Sequence, residues 1–522
     1  MDEYTAYREI ISRLSSTDSP EDIQKIKQAV CRRYRLAVFP KNSAILACAE
    51  PHEREQLRNI LVVKPTRTLS GVAPVAVMTS PHPCPHGICL PCPGGPDHPF
   101  ASPQSYTGEE PAALRGREHG YDPYAQVQAR LFQFYELGHH VDKAELIVMG
   151  GTITARDPAY QEWVVTSSLC AMNDFPDQGK KDCSFLEAAA ANESSRVRCI
   201  GITFETRPDW CRREHIERML SLGVTKVELG IQHLNDSILD YNRRGHSVAD
   251  TIAANCLARD AGLKIGFHMM PNLPGSDRKT DEEVFRTLFS DPSFQPDFLK
   301  IYPTLVTPGS EIEDLYNRGE YRPYTEEELI SQVAYAKAQL PEYTRLQRVQ
   351  REFPARLIVA GSRHGNFRQL AQAHLESLGR RCRCIRCREI GRSPDPGEGE
   401  IRVVSYDACG GTEFFIQAEA GDSLIGFVRL RFPGSVFSPE LDGAALIREL
   451  HVYGQIVPLE QEPHGAEMQH RSYGRMLLRR AEEIASEAGY DRIAVMSGIG
   501  VRPYYRKQGY LRAGPYMVKQ LS

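Results

Sequence analysis

Three cysteines within nine residues, Cys84, Cys89 and Cys92 in Cys-Pro-His-Gly-Ile-Cys-Leu-Pro-Cys, are the side chains of this sequence best suited to chemistry. Three thiolates can hold three irons of a four-iron cluster and leave the fourth iron open, whereas a ferredoxin-type carrier closes its cluster with a fourth cysteine. An open iron can chelate the amino and carboxylate groups of S-adenosylmethionine and pass it one electron, so the spacing suggests radical chemistry. On spacing alone the alternatives are a zinc knuckle and a disulfide loop.

Alternating apolar runs and helix-like stretches must position those thiols. Candidate strands are 75–79, 145–149, 199–203, 226–232, 264–270 and 298–302, with helical segments such as 122–137, 212–222 and 248–261 between them. Six βα units suit an α/β fold in the form of a partial (β/α)6 barrel whose active site lies at the C-terminal ends of the strands. The cysteine loop follows the first strand and so falls at that mouth. Gly150-Gly151-Thr152 closes the second strand and lets backbone carbonyls approach a ligand ammonium closely. That placement matches the adenosylmethionine-binding turn of radical enzymes, with Arg207 and Gln232 at later strand ends as further candidate contacts. Lys300, flanked by apolar residues in the last strand, is expected to point into the barrel, because a lysine buried in a core needs a partner.

The chain has 522 residues, enough for two or more domains, and a formal net charge of -4. Its start lacks a secretory pattern, no apolar run is long enough to span a membrane, and the 14 cysteines include two tight clusters, so the expectation is a cytoplasmic, reducing location. Positive charge is locally concentrated. Lys25, Lys27, Arg32, Arg33, Arg35 and Lys41 form a run without an acid, interleaved with Tyr34 and Phe39. Arg380, Arg381, Arg383, Arg386, Arg388 and Arg392 face the single acid Glu389. Lys and Arg gain affinity for phosphate backbones by releasing counterions, and aromatics stack on unpaired bases; the two runs together favour RNA over solvated helix faces.

From about residue 400 the pattern changes to strands 401–406, 413–418, 423–432 and 445–453, then a turn at 469–475 and an amphipathic helix 476–488, as in a separate α/β domain. Backbone N–H groups at a helix start bind phosphate. The turn Gln469-His-Arg-Ser472-Tyr473-Gly474-Arg475 resembles the Q-x-x-G-x-G pyrophosphate loop of acetyl-CoA-dependent N-acetyltransferases (GNAT type), followed by strand 492–497 and the pair Tyr504-Tyr505. Ser472 stands where that pattern has its first glycine. If a left-handed backbone is needed there, the serine costs on the order of 1–2 kcal/mol and Ser472→Gly tightens coenzyme binding.

The two catalytic patterns in this order, with strings such as CPHGICLPCPGGP, IVMGGTITARDP, ELGIQHLNDSILDYNRRGH and VRPYYRKQGY, resemble the family of the catalytic subunit of Elongator, elongator protein three, in its prokaryotic type, from about residue 60 onward. The resemblance implies modification of the tRNA wobble uridine at C5, ultimately to carboxymethyluridine, by an acyltransferase that uses radical chemistry. Cys84, Cys89 and Cys92 would bind a [4Fe-4S] cluster, and reductive cleavage of S-adenosylmethionine would give a 5′-deoxyadenosyl radical. That radical would take a hydrogen from the acetyl-CoA methyl, the carbon radical would add to uridine C5, and thioester hydrolysis would release CoA. Acetyl-CoA contacts carry over to Lys143, Glu449, Leu450, His451, Val452, Gln469, Ser472, Tyr473, Gly474, Arg475 and Tyr505, with Tyr504 beside it; Tyr504, Tyr505 and Lys300 are the candidate catalytic residues. The basic run Lys25–Lys41 resembles the tRNA-binding segment of the family, and Arg380, Arg381 and Arg386 could meet the anticodon stem-loop. An electron donor is implied, and either a homodimer or a stand-alone enzyme.

Cys382, Cys384 and Cys387 offer three ligands in six residues, and a zinc ion needs one more donor, for which His364 is the candidate. The expected domains are a basic tRNA-binding segment 1–70, a radical domain 71–315, a linker with the zinc site 316–398 and an acetyltransferase domain 399–522. Other readings are a protein lysine acetyltransferase, a different radical enzyme acting on RNA, and a noncatalytic tRNA-binding scaffold.

Overall fold

The computed structural model describes residues 3–14, 20–34, 36, 39–50, 52–53, 56–57, 61, 71–98, 100–139, 141–177, 179, 183–390, 399–453 and 466–521. Seven parallel strands form the first sheet in sequential order: β1 (Ala73–Met78), β2 (Lys143–Met149), β3 (Arg198–Thr206), β4 (Lys226–Gln232), β5 (Lys264–Met269), β6 (Phe298–Ile301) and β7 (Arg345–Arg348). Strict sequential order with parallel pairing is what βα units wound in one direction produce, and it gives a partial barrel with all strand C-termini at one mouth. The six expected strands are present. The seventh, Arg-Leu-Gln-Arg, lies in the stretch expected to be linker and pairs with β6, so the barrel sheet runs past residue 315.

Local signals set the helix starts. Asp122 accepts from the Ala125 N–H with Pro123 in the first turn, Ser247 and Asp250 form a reciprocal capping box, and so do Thr325 and Glu328. These caps satisfy N–H groups that a helix start leaves without intrahelical partners. The helices Pro123–Glu136, Arg213–Ser221 and Val248–Asp260 match their expected ranges closely.

The second sheet has the order β13-β14-β12-β11-β10-β9-β8, built from β8 (Glu400–Ala408), β9 (Gly411–Ala420), β10 (Ser423–Phe432), β11 (Ala444–Val452), β12 (Arg492–Val495), β13 (Leu511–Ala513) and β14 (Tyr516–Gln520). Its one parallel pairing, β11 with β12, covers only Ala444–Ile447 against Arg492–Val495. Beyond Ile447 the two strands part, and β11 continues alone on that edge to Val452. The long helix of this domain spans Ala466–Glu487. Residues 469–475, expected as a turn, are therefore helical, and the right-handed backbone at Ser472 removes the basis for a left-handed strain there. The side chains of Gln469 and Ser472 lie outside the described residues.

The two sheets share one core. Phe437, Leu441, Ala444, Leu446, Ala494, Met496, Ile499 and Tyr516 pack in the same buried cluster as the barrel residues Val75, Ile202, Val227 and Ile265. Contact is close enough to require glycine: a Cβ on Gly498 would sit 2.0 Å from the Ile200 carbonyl oxygen, and one on Gly500 would sit 2.5 Å from Arg198 Cβ. Since Arg198 opens β3, the second sheet docks on the N-terminal end of the barrel strands, opposite the mouth.

Helices α1 (Glu3–Leu14), α2 (Pro20–Tyr34) and α3 (Asn42–Ala47) are among the described elements that precede the barrel. They have a small core of their own that includes Ala6, Ile10, Ile11, Val30, Ile45 and Leu46. None of the described helices is long and apolar enough to cross a membrane.

Candidate active site

One pocket at the C-terminal mouth of the barrel is lined by Cys84, Cys89, Cys92, Gly151, Thr152, Arg207 and Gln232, so four widely separated stretches of sequence meet there as the strand order requires. Among the described residues, the groups whose ligand atoms crowd within 4.8 Å of one another are Cys382/Cys384/Cys387 and Glu205/Glu228/His268. The thiols of Cys84, Cys89 and Cys92 are spaced more widely than a single ion needs, which suits a multi-iron cluster and not a zinc knuckle. Burial, with smaller contributions from the neighbouring thiols, pushes Cys84 up to about 11 and also raises Cys92. Bound cationic iron would reverse that balance, since a coordinating thiol is deprotonated outright.

The rest of the pocket fits a small zwitterion. Arg207 Nη1 and Gln232 Oε1 are buried there without a hydrogen-bond partner among the described residues. Gln232 has a φ of 72° and Gly150 and Gly151 have φ of 120° and 101°. A Cβ on Gly150 would stand 2.2 Å from Thr79 Oγ1, whose hydroxyl donates to the Gly150 carbonyl at 3.1 Å. Gly150→Ala is thus expected to weaken adenosylmethionine binding by more than tenfold, because displacement of β1 adds to the left-handed strain; isothermal titration of the cluster-loaded protein checks it.

Lys300 points into the barrel, as expected. Its ammonium bonds Glu205 at 3.0 Å and makes a short contact with Glu228. Glu228 also meets Lys226 at 2.7 Å and His268 at 3.0 Å, and Tyr106 donates to Glu205 at 3.0 Å. Glu205, Glu228 and His268 therefore already surround an internal cation. Desolvation pushes Lys300 toward neutrality, but Glu228, Tyr302 and Glu205 outweigh it and hold the amine charged.

In the second domain, the part of β11 without a β12 partner is Arg448–Val452, which contains the expected coenzyme residues Glu449, Leu450, His451 and Val452. An edge of backbone amides is what a pantetheine arm can pair with. Glu449 bonds Arg429 Nε at 2.8 Å; its carboxyl is lowered because Lys264, Arg429 and His451 outweigh desolvation. Burial holds His451 down at about 4. Tyr504 and Tyr505 meet edge to face at 5.2 Å, and a Cβ on Gly474 would come within 3.3 Å of Tyr504 Oη. Tyr473 is buried and accepts from the Gly399 N–H at 2.9 Å, a packing role, while Arg475 is exposed. Lys143 opens β2 and is half-buried at the barrel end that faces this domain.

Other expectations need correction. Cys382, Cys384 and Cys387 converge, with Cys384 and Cys387 Sγ 3.6 Å apart. His364 is not with them: its ring is 55 % exposed and its Nε2 lies 3.0 Å from Glu326. Lys27 is not a surface cation. It is 4 % exposed, donates to Asn42 Oδ1 at 2.8 Å and sits over Phe39. Arg33 pairs with Glu9 at 2.9 Å, and Arg381 with Asp422 at 2.5 Å. Arg388 is buried against Gln417 at 2.9 Å and Glu419, so much of the second basic run is neutralised by the acetyltransferase sheet. Lys25, Arg32, Lys41 and Arg380 are exposed, Arg386 is half-buried, and Arg35 lies outside the described residues.

A three-thiol barrel mouth joined to an acetyltransferase fold with a parted β11 defines a radical adenosylmethionine protein fused to a GNAT-type domain. Family models agree in the same order: an ELP3 N-terminal domain over residues 4–69, the radical SAM superfamily over 84–288, a radical SAM C-terminal domain over 296–377 and the GNAT acetyltransferase family over 386–510. A tRNA uridine(34) acetyltransferase of Methanocaldococcus infernus is 47 % identical over 96 % of this chain and 95 % of its own length. Elongator complex protein 3 of Homo sapiens is 42 % identical over 96 % of this chain and 93 % of its own. A solved structure of the Methanocaldococcus infernus Elp3 with an N-terminal deletion superposes with a TM-score of 0.75 at 43 % identity, covering 87 % of this chain and all of that one. The chain belongs to the Elongator complex protein 3 family.

Proposed function

We propose that this protein converts the wobble uridine of tRNA to 5-carboxymethyluridine, with acetyl-CoA as the carbon source. The observation that carries this reading is the union, in one core, of a three-thiol pocket at one end of a barrel and an acetyltransferase sheet with an open β11 edge at the other. Near-full-length relatives that carry the name tRNA uridine(34) acetyltransferase support it. A protein lysine acetyltransferase would leave the barrel pocket without a purpose.

A [4Fe-4S] cluster on Cys84, Cys89 and Cys92 with S-adenosylmethionine would supply one-electron reductive cleavage and hydrogen abstraction. The chain's own groups bind and orient. Arg207 and Gln232 offer a buried, unpartnered donor and acceptor to a bound amino acid head, and the Gly150–Gly151 backbone approaches it closely. Glu205 is held by Lys300 and Tyr106, which fixes a negative group at the mouth. The amides of Glu449–Val452 receive the pantetheine arm, and Tyr504 and Tyr505 border the thioester. Lys25, Lys41, Arg32 and Arg380 contribute tRNA phosphate contacts. Cys382, Cys384 and Cys387 would hold a structural zinc, with a fourth donor other than His364.

The test is anaerobic reconstitution with iron and sulfide, then incubation with dithionite, S-adenosylmethionine, acetyl-CoA and tRNA and mass analysis of the nucleosides. Carboxymethyluridine that vanishes when either small molecule is omitted is the expected result. Acetyl label on a lysine peptide with none on tRNA would overturn the reading.

A further inference from the structure

Three side chains outside the cysteine loop reach its sulfurs: Thr152 Oγ1 lies 3.8 Å from Cys84 Sγ, and Arg244 and Gln104 come closer to the other two. Arg244 donates through Nη1 to Cys89 Sγ at 3.1 Å and through Nη2 to the Gly230 carbonyl at 2.8 Å. Gln104 donates through Nε2 to Cys92 Sγ at 3.0 Å, and both residues of that pair are buried. Within the loop, His86 Nε2 lies 2.9 Å from Cys89 Sγ.

The backbone around both donors is built for this approach. Arg243 has a φ of 52° and Gly245 a φ of 64°, so the chain doubles back on either side of Arg244. A Cβ on Gly245 would stand 2.9 Å from His86 Cβ, which means that the Arg244 turn can press against the cysteine loop only with glycine there. The carbonyl of Gly230 takes the other arm of the guanidinium and thereby fixes its plane. Gln104 is wedged from two sides: a Cβ on Gly95 would stand 2.8 Å from its Oε1, and one on Gly151 would stand 3.1 Å from its Cβ. Its amide is thus tied to the cysteine loop while its Cβ packs against the turn after β2.

We propose that Arg244 and Gln104 are positioning residues that set the reduction potential of the iron–sulfur cluster held by Cys84, Cys89 and Cys92. Hydrogen bonds to cluster sulfurs and nearby positive charge stabilise the more negative, reduced cluster, and outer donors of this kind orient metal ligands. Arg244 supplies both a bond and a charge, Gln104 a bond alone, so their effects are unequal and separable. This inference rests on the radical adenosylmethionine reading of the pocket.

The experiment is a redox titration, without adenosylmethionine, of the reconstituted full-length protein and of Arg244→Met, Arg244→Lys and Gln104→Leu. It is followed by electron paramagnetic resonance of the reduced cluster, with iron content measured on each sample. For Arg244→Met the expected result is a reduction equilibrium about tenfold less favourable, or about 59 mV for one electron. A shift of about threefold in the same direction is expected for Gln104→Leu. Arg244→Lys recovers the part of the shift that charge supplies. Should Arg244→Met fail to load iron, Gln104→Leu, which removes no charge, carries the test. Potentials of the cluster-loaded variants equal to that of the parent would overturn the proposal while leaving the radical reading intact. A parent protein that binds no iron would overturn both.

Discussion

Asp297→Ala is expected to destabilise the folded protein by about 3–5 kcal/mol, the cost of removing one partner from a buried ion pair. Asp297 is wholly buried where the chain enters β6 and receives Arg448 through two bonds of 2.7 and 2.8 Å. Arg429 and Arg259 approach it at 3.4 and 3.7 Å, and the Ile265 N–H donates to it at 2.8 Å. The pair belongs to a network that joins the domains. Arg448 also holds Glu413 at 2.8 Å, Arg259 meets Glu413 at 3.2 Å, and Arg431 meets Asp260 at 2.5 Å. With Glu449 on Arg429, four arginines (Arg259, Arg429, Arg431, Arg448) face four carboxylates (Asp260, Asp297, Glu413, Glu449), so the network is neutral and loss of one member leaves a buried charge. Desolvation pushes the Asp297 carboxyl up, but Arg448, Arg429 and Arg259 outweigh it and hold it far below the ordinary range. A depressed carboxyl contributes stability that is present above its unfolded value, about 3.9, and is lost as pH falls below that. Urea denaturation at pH 7 and at about pH 3 measures both effects. A denaturation midpoint for Asp297→Ala equal to that of the parent at pH 7 would show that the network carries no net stability.

That network explains why the domains were legible one by one and their junction was not. The strands of the barrel read clearly because a parallel sheet covered on both faces is a near-continuous apolar run, as in Glu-Leu-Ile-Val-Met at the end of β2. Strand β7, Arg-Leu-Gln-Arg, has one apolar residue in four and gave no such signal; its place is set by pairing with β6. The Ala466–Glu487 helix was read as a turn at its start because a glycine-rich loop pattern was matched, although Ala466, Glu467 and Met468 favour helix. Lys27 looked like part of a basic surface because charge was counted along the chain; the helix period places it beside Val30 on the inner face of α2.

At the active site, spacing exposed what chemistry requires to be close in sequence: the cysteine loop and the Gly150–Gly151 turn. It could not expose partners that the barrel brings together from afar. Arg244 lies 155 positions from Cys89, and Lys300 lies 95 and 72 positions from Glu205 and Glu228. A weak clue to the first was Arg-Arg-Gly after a short helix, where glycine permits a tight reversal. His364 fails for the converse reason: a residue type that suits zinc does not say where the ring lies, and the fold turns it to Glu326.

Lys300→Met is expected to lower tRNA modification by about 10²–10³-fold, the rate equivalent of roughly 3–4 kcal/mol, while the iron content stays that of the parent. Along the strand direction, Glu145 and Lys226 lie near the end that faces the acetyltransferase sheet, Glu228 and Lys300 lie midway, and Glu205 and Tyr106 lie at the mouth. Neighbours in this series touch: Tyr106 to Glu205 at 3.0 Å, Glu205 to Lys300 at 3.0 Å, Glu228 to Lys226 at 2.7 Å and Lys226 to Glu145 at 4.0 Å. Lys300 is the cation between Glu205 and Glu228. Methionine fills its volume but leaves Glu205 without its ammonium, and Glu228 keeps Lys226. Desolvation opposes the charged form of Glu228, and Lys226 and Lys300 together hold it ionised. With Lys300 gone, Glu205 is expected to swing toward Arg348 or Arg351, both of which line the pocket. That movement alters the charge at the mouth, so the loss should appear in kcat and not in the affinity for acetyl-CoA, whose proposed contacts lie on the far sheet. Single-turnover assays with and without saturating acetyl-CoA separate the two. A variant with normal kcat and weakened acetyl-CoA binding would place Lys300 in the coenzyme path instead of at the radical site.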